Sequence, residues 1–282
     1  QAKTDEDYDK LMKALGAAMG ATRGAAKEQN LAGISPEAAK MVALFKDAYA
    51  PLVRAATVVP SPDFRLAEAG ETPADVARRA AAALETHLEV RGENIAALIV
   101  EPLVQGAAGM AMYDPEYLRL ARALCDQYEV HLICDEIAVG CGRTGTFFAH
   151  EQAEIRPDLM CLSKGISGGY LPLSIVLCSD TIYNAFLDDS VARAFLHSHS
   201  YTGNPLACRA ALATLAIFEE DGVIDANRRL AAQINAAAAP LAADPRVKHF
   251  RNTGLIWAFD AATDDPLFAR RFHQAAMARG LL

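Results

Sequence analysis

Four short apolar runs constrain this chain more than any other feature: Ile95–Val100, Val130–Cys134, Leu159–Leu162 and Leu173–Leu177. Apolar runs of this length, without polar alternation, are the pattern of strands covered on both faces. Helical patterns lie between and around them. Ala74–Arg91 carries Val76, Ala80, Ala83 and Leu84 along one side. Asp114-Pro115-Glu116 reads as a helix start, followed by Tyr117, Leu118, Ala121, Leu124, Cys125 and Tyr128 at helical spacing. Strands alternating with helices predict an α/β fold with a mainly parallel sheet and covered faces. A further helix runs from Asn204 through Leu215 to Glu219. Helix Ile224–Leu241 and strand-like Gly254–Phe259 predict a smaller C-terminal α/β unit. Residues 1–41 read differently, as helical material. Asp7–Arg23 places Leu11, Met12, Leu15 and Met19 on one face, and Ser35-Pro36-Glu37 starts a second helix.

Charge narrows the partners. Asp plus Glu number 35 against 27 Lys plus Arg, a net charge of −8. That acidic balance argues against nucleic-acid binding, which needs an excess of cations. The apolar runs are too short to span a bilayer, so no membrane partner is expected. The first residues, Gln1-Ala-Lys-Thr-Asp-Glu-Asp, show no signal-peptide pattern, and the expected location is the cytoplasm. Cys125, Cys134, Cys141, Cys161, Cys178 and Cys208 form no CxxC pair and read as reduced thiols, with no metal site expected.

In open α/β sheets, ligands sit beyond the carboxyl ends of the strands. Three such ends carry polar residues here. They are Glu101-Pro-Leu-Val-Gln105-Gly106, Asp135-Glu-Ile-Ala-Val-Gly-Cys-Gly-Arg-Thr-Gly145, and Ser163-Lys164-Gly165 with Gly168-Gly169. Asp135 directly follows an apolar run, so its carboxylate is expected to be partly buried and to need a partner. Lys164 follows another, where desolvation would lower its pKa and favour a nucleophilic amine. This pairing fits pyridoxal phosphate chemistry, with the Lys forming a Schiff base and the Asp keeping the pyridine nitrogen protonated. A buried Asp–Lys ion pair beside ordinary loop glycines is the plain alternative, and position alone leaves both open.

Residues 135–145 strongly resemble the aspartate motif of the class III (fold type I) pyridoxal-phosphate aminotransferases, and Lys164 stands where that family carries its Schiff-base lysine. Segments 97–109 and 197–208 look similar too, and the resemblance runs from about Val42 onward. It implies a fold type I architecture, with a mainly parallel sheet flanked by helices and a smaller C-terminal domain. It implies pyridoxal 5'-phosphate as cofactor. Lys164 and Asp135 would be the catalytic and coenzyme-binding pair, and Ile137 would pack on one ring face. A family hydroxyl that reaches the neighbouring subunit's phosphate falls at Ser200, where a Thr is usual; Thr202 is the fallback. The expected assembly is therefore a homodimer with shared active sites. His197 and His199 read as loop hydrogen-bonders and Arg143 as a loop anchor, while Glu101 and Gln105 would order the strand-end loops.

Gly106-Ala-Ala-Gly-Met110, Tyr170-Leu-Pro-Leu-Ser174 and His197–Pro205 point within the family to transfer of an amino group from S-adenosylmethionine to 8-amino-7-oxononanoate. An ω-amino-acid:pyruvate activity is the alternative, and a non-catalytic fragment is the reading from another class. Residues 1–41 show neither the family's Gly-Ser/Thr-rich phosphate turn nor its ring-stacking aromatic residue, and the family's carboxylate-binding Arg falls close to Leu282. The expected division is a helical segment 1–41, a partial coenzyme-binding domain 42–215 and a truncated small domain 216–282.

Overall fold

Thr72 starts the first helix by a reciprocal cap. Its hydroxyl accepts the Asp75 N–H, the Asp75 carboxylate accepts the Thr72 N–H, and Pro73 takes the first turn. The resulting helix α1 (Pro73–Arg91) buries Val76, Ala77, Ala80, Ala81, Leu84 and Leu88, the three- and four-residue spacing of one face. That face packs against α2 (Glu116–Gln127), which buries Tyr117, Leu118, Ala121, Leu124 and Cys125. The computed structural model describes residues 56–281. The helices expected within 1–41 lie outside the described residues.

A four-stranded sheet runs in the order β1 (Ala97–Val100), β4 (His131–Asp135), β5 (Leu159–Leu162), β6 (Ile175–Cys178). β1 and β4 pair in parallel, with Val100 opposite Cys134; β4 and β5 also pair in parallel, with Asp135 opposite Cys161. β6 is antiparallel to β5. Between β1 and α2 lies a ribbon of β2 (Val104–Gln105) and β3 (Ala111–Met112).

Two expectations need correction. Covered faces hold for β5 and the middle of β4, but β1 is only half-buried and β6 is exposed over Val176–Cys178. Both are edge strands of the described sheet, with a strand neighbour on one side only. The run at Leu173–Leu177 forms a strand only from Ile175, because the carbonyls of Leu171 and Leu173 are taken by Ser167 and Ser163 hydroxyls.

After β6 come α3 (Asp180–Phe186), capped by Ser179, and α4 (Pro205–Glu220), whose cap Asn204 accepts the N–H groups of Leu206 and Ala207. The chain turns at Gly222 and continues as α5 (Val223–Ala242). An antiparallel hairpin of β7 (Val247–Thr253) and β8 (Ile256–Ala261) follows, then α6 (Phe268–Met277). β7 has no apolar run and was not expected; its sequence is Val-Lys-His-Phe-Arg-Asn-Thr. The expected division at 215/216 falls inside the continuous helix α4.

Candidate active site

The parallel register brings three strand ends to one side of the sheet. Glu101 follows β1, Asp135 closes β4, and Ser163-Lys164 follow β5. The half-buried Asp135 carboxylate accepts the Ile137 N–H on Oδ1 at 3.1 Å, its one hydrogen bond among the described residues. Burial pushes this carboxyl up, while the Ile137 N–H and the charge of Lys164 oppose the rise. Glu101 behaves alike. Burial pushes it up, the Gly106 N–H donated to Oε2 at 2.6 Å holds it back, Asp135 adds to the rise and Lys164 reduces it. The three groups therefore share one electrostatic neighbourhood.

Lys164 is not desolvated as expected; it is exposed. What distinguishes it is backbone strain. It opens the turn Lys164–Ser167 at φ 45°, a left-handed conformation that costs a non-glycine residue on the order of 1 kcal/mol. The turn is fixed by the Ser163 hydroxyl on the Leu173 carbonyl and the Ser167 hydroxyl on the Leu171 carbonyl, each at 2.7 Å. A Cβ on Gly165 would lie 2.8 Å from Cys141 Cβ, so the turn after β5 touches the loop after β4.

That loop is held from both sides. Glu136, 1% exposed, accepts the Ala149 N–H on Oε2, and the His150 N–H on Oε1 with the His150 ring nitrogen Nδ1 also at Oε1, all at 2.9 Å. On the other side the Arg143 carbonyl accepts the Leu255 N–H at 2.8 Å, and Arg228 donates to the Gly145 carbonyl at 2.7 Å. The Arg143 backbone is thus an anchor, while its side chain is exposed. A Cβ on Gly254 would fall 2.3 Å from the Thr144 carbonyl carbon, so that turn of the hairpin admits only glycine. Sequence reasoning missed Glu136; a second acid directly after a buried strand was the signal that it would need internal donors.

Glu101 and Gln105 order the first strand end, Glu101 through Gly106 and Gln105 by accepting the Ser61 hydroxyl at 2.6 Å. Half-buried Ile137 flanks Asp135. Ser200 and Thr202 are exposed in the turn before α4, and neither bonds to Asp135 or Lys164. Thr202 Oγ1 accepts the His199 N–H, and His199 Nδ1 accepts the Tyr201 N–H, so His199 orders that turn. An open groove of about 430 Å³ lies elsewhere, along Thr144, Gln152, Asn227, Arg228, Asn235 and Asn252. Its polar groups largely bond one another, as Asn235 does with Asn252 and Gln152 with the Thr144 carbonyl. The six cysteines stand unpaired, and no cluster of His, Cys, Asp and Glu fit for a metal is present among the described residues.

Residues 31–282 match the class III aminotransferase family, starting ahead of the Val42 expected from the motifs. The chain belongs to the class III aminotransferases. This pyridoxal-phosphate-dependent family has the fold type I architecture expected above. The chain is 46% identical over 226 residues to the adenosylmethionine-8-amino-7-oxononanoate aminotransferase of Helicobacter pylori, covering 78% of this chain and 49% of that one. The crystal structure of the enzyme of the same name from Methanocaldococcus jannaschii superposes with a TM-score of 0.74 at 29% identity, over 85% of this chain and 55% of that one. The omega transaminase of Pseudomonas jessenii in complex with PMP gives a TM-score of 0.74 at 30% identity, over 79% and 52%. This class III chain spans about half the length of the curated relatives it matches.

The residues present fit the ring end of the family's coenzyme. Asp135 Oδ2 accepts no hydrogen bond among the described residues, Lys164 is exposed, and both stand at neighbouring strand ends.

Proposed function

We propose that this chain carries the reacting centre of a pyridoxal-phosphate-dependent aminotransferase that moves an amino group from S-adenosylmethionine to 8-amino-7-oxononanoate, a step of biotin synthesis. The convergence of Asp135 and Lys164 at adjacent strand ends supports the chemistry, and the likeness to relatives of that name supports the substrates. When bound, the coenzyme supplies an electron sink for the carbanion at the donor's amine-bearing carbon. Lys164 is the amine that would hold the coenzyme by its aldehyde and, once freed by exchange with the donor's amine, would move the proton at that donor carbon. Asp135 would offer its unpartnered oxygen to a protonated pyridine nitrogen, and Ile137 would pack on one ring face. The outline 42–215 as coenzyme domain and 216–282 as small domain goes with this reading. Six unpaired thiols support a cytoplasmic location.

A homodimer belongs to the same proposal. Ala207 and Ala211 are the buried face of α4, and the helix packs on the Lys164–Ser167 turn. Leu206 and Leu212 remain exposed, Leu206 by 70%, as does Tyr201 ahead of them. Such a face suits a second copy, which would bring Ser200, or Thr202, to the neighbour's phosphate. An ω-amine donor is the second reading, favoured by the likeness to the Pseudomonas jessenii protein.

The test is absorbance of the purified chain after adding pyridoxal phosphate. The visible band of lysine-bound coenzyme is expected and should vanish in Lys164→Ala; a retained band removes Lys164 from its role. Asp135→Asn should keep the band and slow proton transfer by several orders of magnitude, since an uncharged partner no longer holds the ring nitrogen protonated. Near-normal turnover would make Asp135 structural. Bleaching by S-adenosylmethionine rather than by an ω-amino acid decides between the donors.

A further inference from the structure

Three consecutive carbonyls between β2 and β3 face arginines. Arg65, ahead of α1, donates from Nη2 to the Ala108 carbonyl at 3.0 Å. Arg251, on β7, donates from Nη2 to Gly109 at 2.6 Å and from Nε to Met110 at 2.9 Å. The loop is bent to allow this: Gly109 and Met110 are left-handed in succession, at φ 76° and 55°. β7 is bent as well. Its register shifts between Lys248 and Arg251, His249 stands at φ 46°, and the irregularity turns Arg251 inward to 5% exposure. The buried cations are balanced. Asp260 Oδ1 lies 3.2 Å from Arg251 and 3.4 Å from Arg65, and Asp63 lies 2.7 Å from Arg65.

The same loop begins at Gly106. The Gly106 carbonyl accepts the N–H groups of Gly109 and Met110, and the Gly106 N–H goes to Glu101. Lys164 and Asp135 are the charged groups that act on Glu101 from the neighbouring strand ends. We propose that Arg251 is a positioning residue for the strand-end site: reaching from the C-terminal hairpin, it fixes the carbonyls of Gly109 and Met110 beside the Arg65 contact and so aims the Gly106 N–H at Glu101. This rests on the reading of Asp135 and Lys164 as the reacting pair. A single point charge cannot replace Arg251, because its donors also reach the His249 carbonyl at 2.8 Å.

The test uses Arg251→Lys in the purified full chain, with Asp260→Asn as the milder second variant should the first not fold. Amide hydrogen exchange at Gly106 should rise about tenfold or more, the loss of roughly one charge-assisted hydrogen bond, while Leu132 in the sheet keeps its protection. The Glu101 carboxyl, followed by carbon NMR, should titrate higher than in the parent, because an N–H that opposes burial is weakened. On adding pyridoxal phosphate, the pH midpoint of the Lys164-dependent band should shift as well. Unchanged Gly106 exchange and Glu101 titration overturn the proposal and leave Arg251 a strut between hairpin and loop. Changes at Gly106 and Glu101 with an unmoved band overturn its link to the site. A parent chain that forms no band strikes the functional reading, and the Gly106 and Glu101 readouts then decide the role of Arg251.

Discussion

Cys141 and Gly165 set the closest tolerance beside Lys164. Cys141 is itself left-handed at φ 53°, and its Cβ occupies the place a Gly165 side chain would need. Gly165→Ala should therefore push the Lys164 turn off its position and cost about 1–3 kcal/mol, the usual range for overpacking. Cys141→Gly removes both the obstructing atoms and the strain of a non-glycine residue at that φ. The double variant should recover much of the loss, measured as thermal midpoint and as formation of the coenzyme band. No recovery would show that the Ala methyl harms something other than the contact with Cys141. The glycine after the lysine was visible in the sequence. That its need comes from a residue on the preceding loop was not, because two loops touch only once β4 and β5 are paired.

At the scale of elements, Asp158 ties α2 to the sheet. Its Oδ2 accepts from Arg122 on α2 and from the Leu132 N–H on β4, each at 2.7 Å, and its own N–H returns to the Leu132 carbonyl. Burial alone would push this carboxyl up, but the His131 ring 3.8 Å away, Arg122 and the Leu132 N–H together hold it well below the ordinary carboxylate range. A carboxyl lowered on folding adds stability that is present above its ordinary pKa and is lost as pH falls through the folded value. Asp158→Asn should cost about 2–3 kcal/mol at neutral pH by denaturant unfolding, since Arg122 loses the half-buried one of its two carboxylate partners and keeps only the exposed Asp126. The gap should narrow as the pH falls below the ordinary carboxylate range. Parallel pH–stability curves for parent and variant would contradict this account. The helices and central strands joined here were legible as periodic patterns, whereas no pattern in the sequence marks Asp158.

For the whole molecule, the exposed apolar face of α4 and the turn before it predict assembly. Sedimentation of the purified chain should show a dimer, and Ser200→Ala should weaken coenzyme binding by roughly tenfold, about one hydrogen bond to a charged group. A monomer that binds the coenzyme as tightly would refute the shared site. A silent Ser200→Ala with an impaired Thr202→Ala would keep the dimer and move the hydroxyl. Among the described residues no helix is long and apolar enough to cross a membrane.

The sequence by itself determined where the central strands run and what stands at their ends. Apolar runs mark β4 and β5; Glu101 and Asp135 stand one residue past their runs and Lys164 two residues past its own. The tertiary structure alone decided the environment of those residues. Lys164 follows a buried strand yet lies exposed, because the chain turns at that residue into a strained loop. Glu136 is the acid that goes inside, because the Ala149–His150 backbone returns to supply its donors. Arg251 sits on a strand with no apolar signature and reaches a loop far away in the chain. Periodicity reports which side of an element is apolar, a local property. Which distant donor meets which acceptor depends on how paired strands and packed helices bring separate segments together, and no local pattern encodes that.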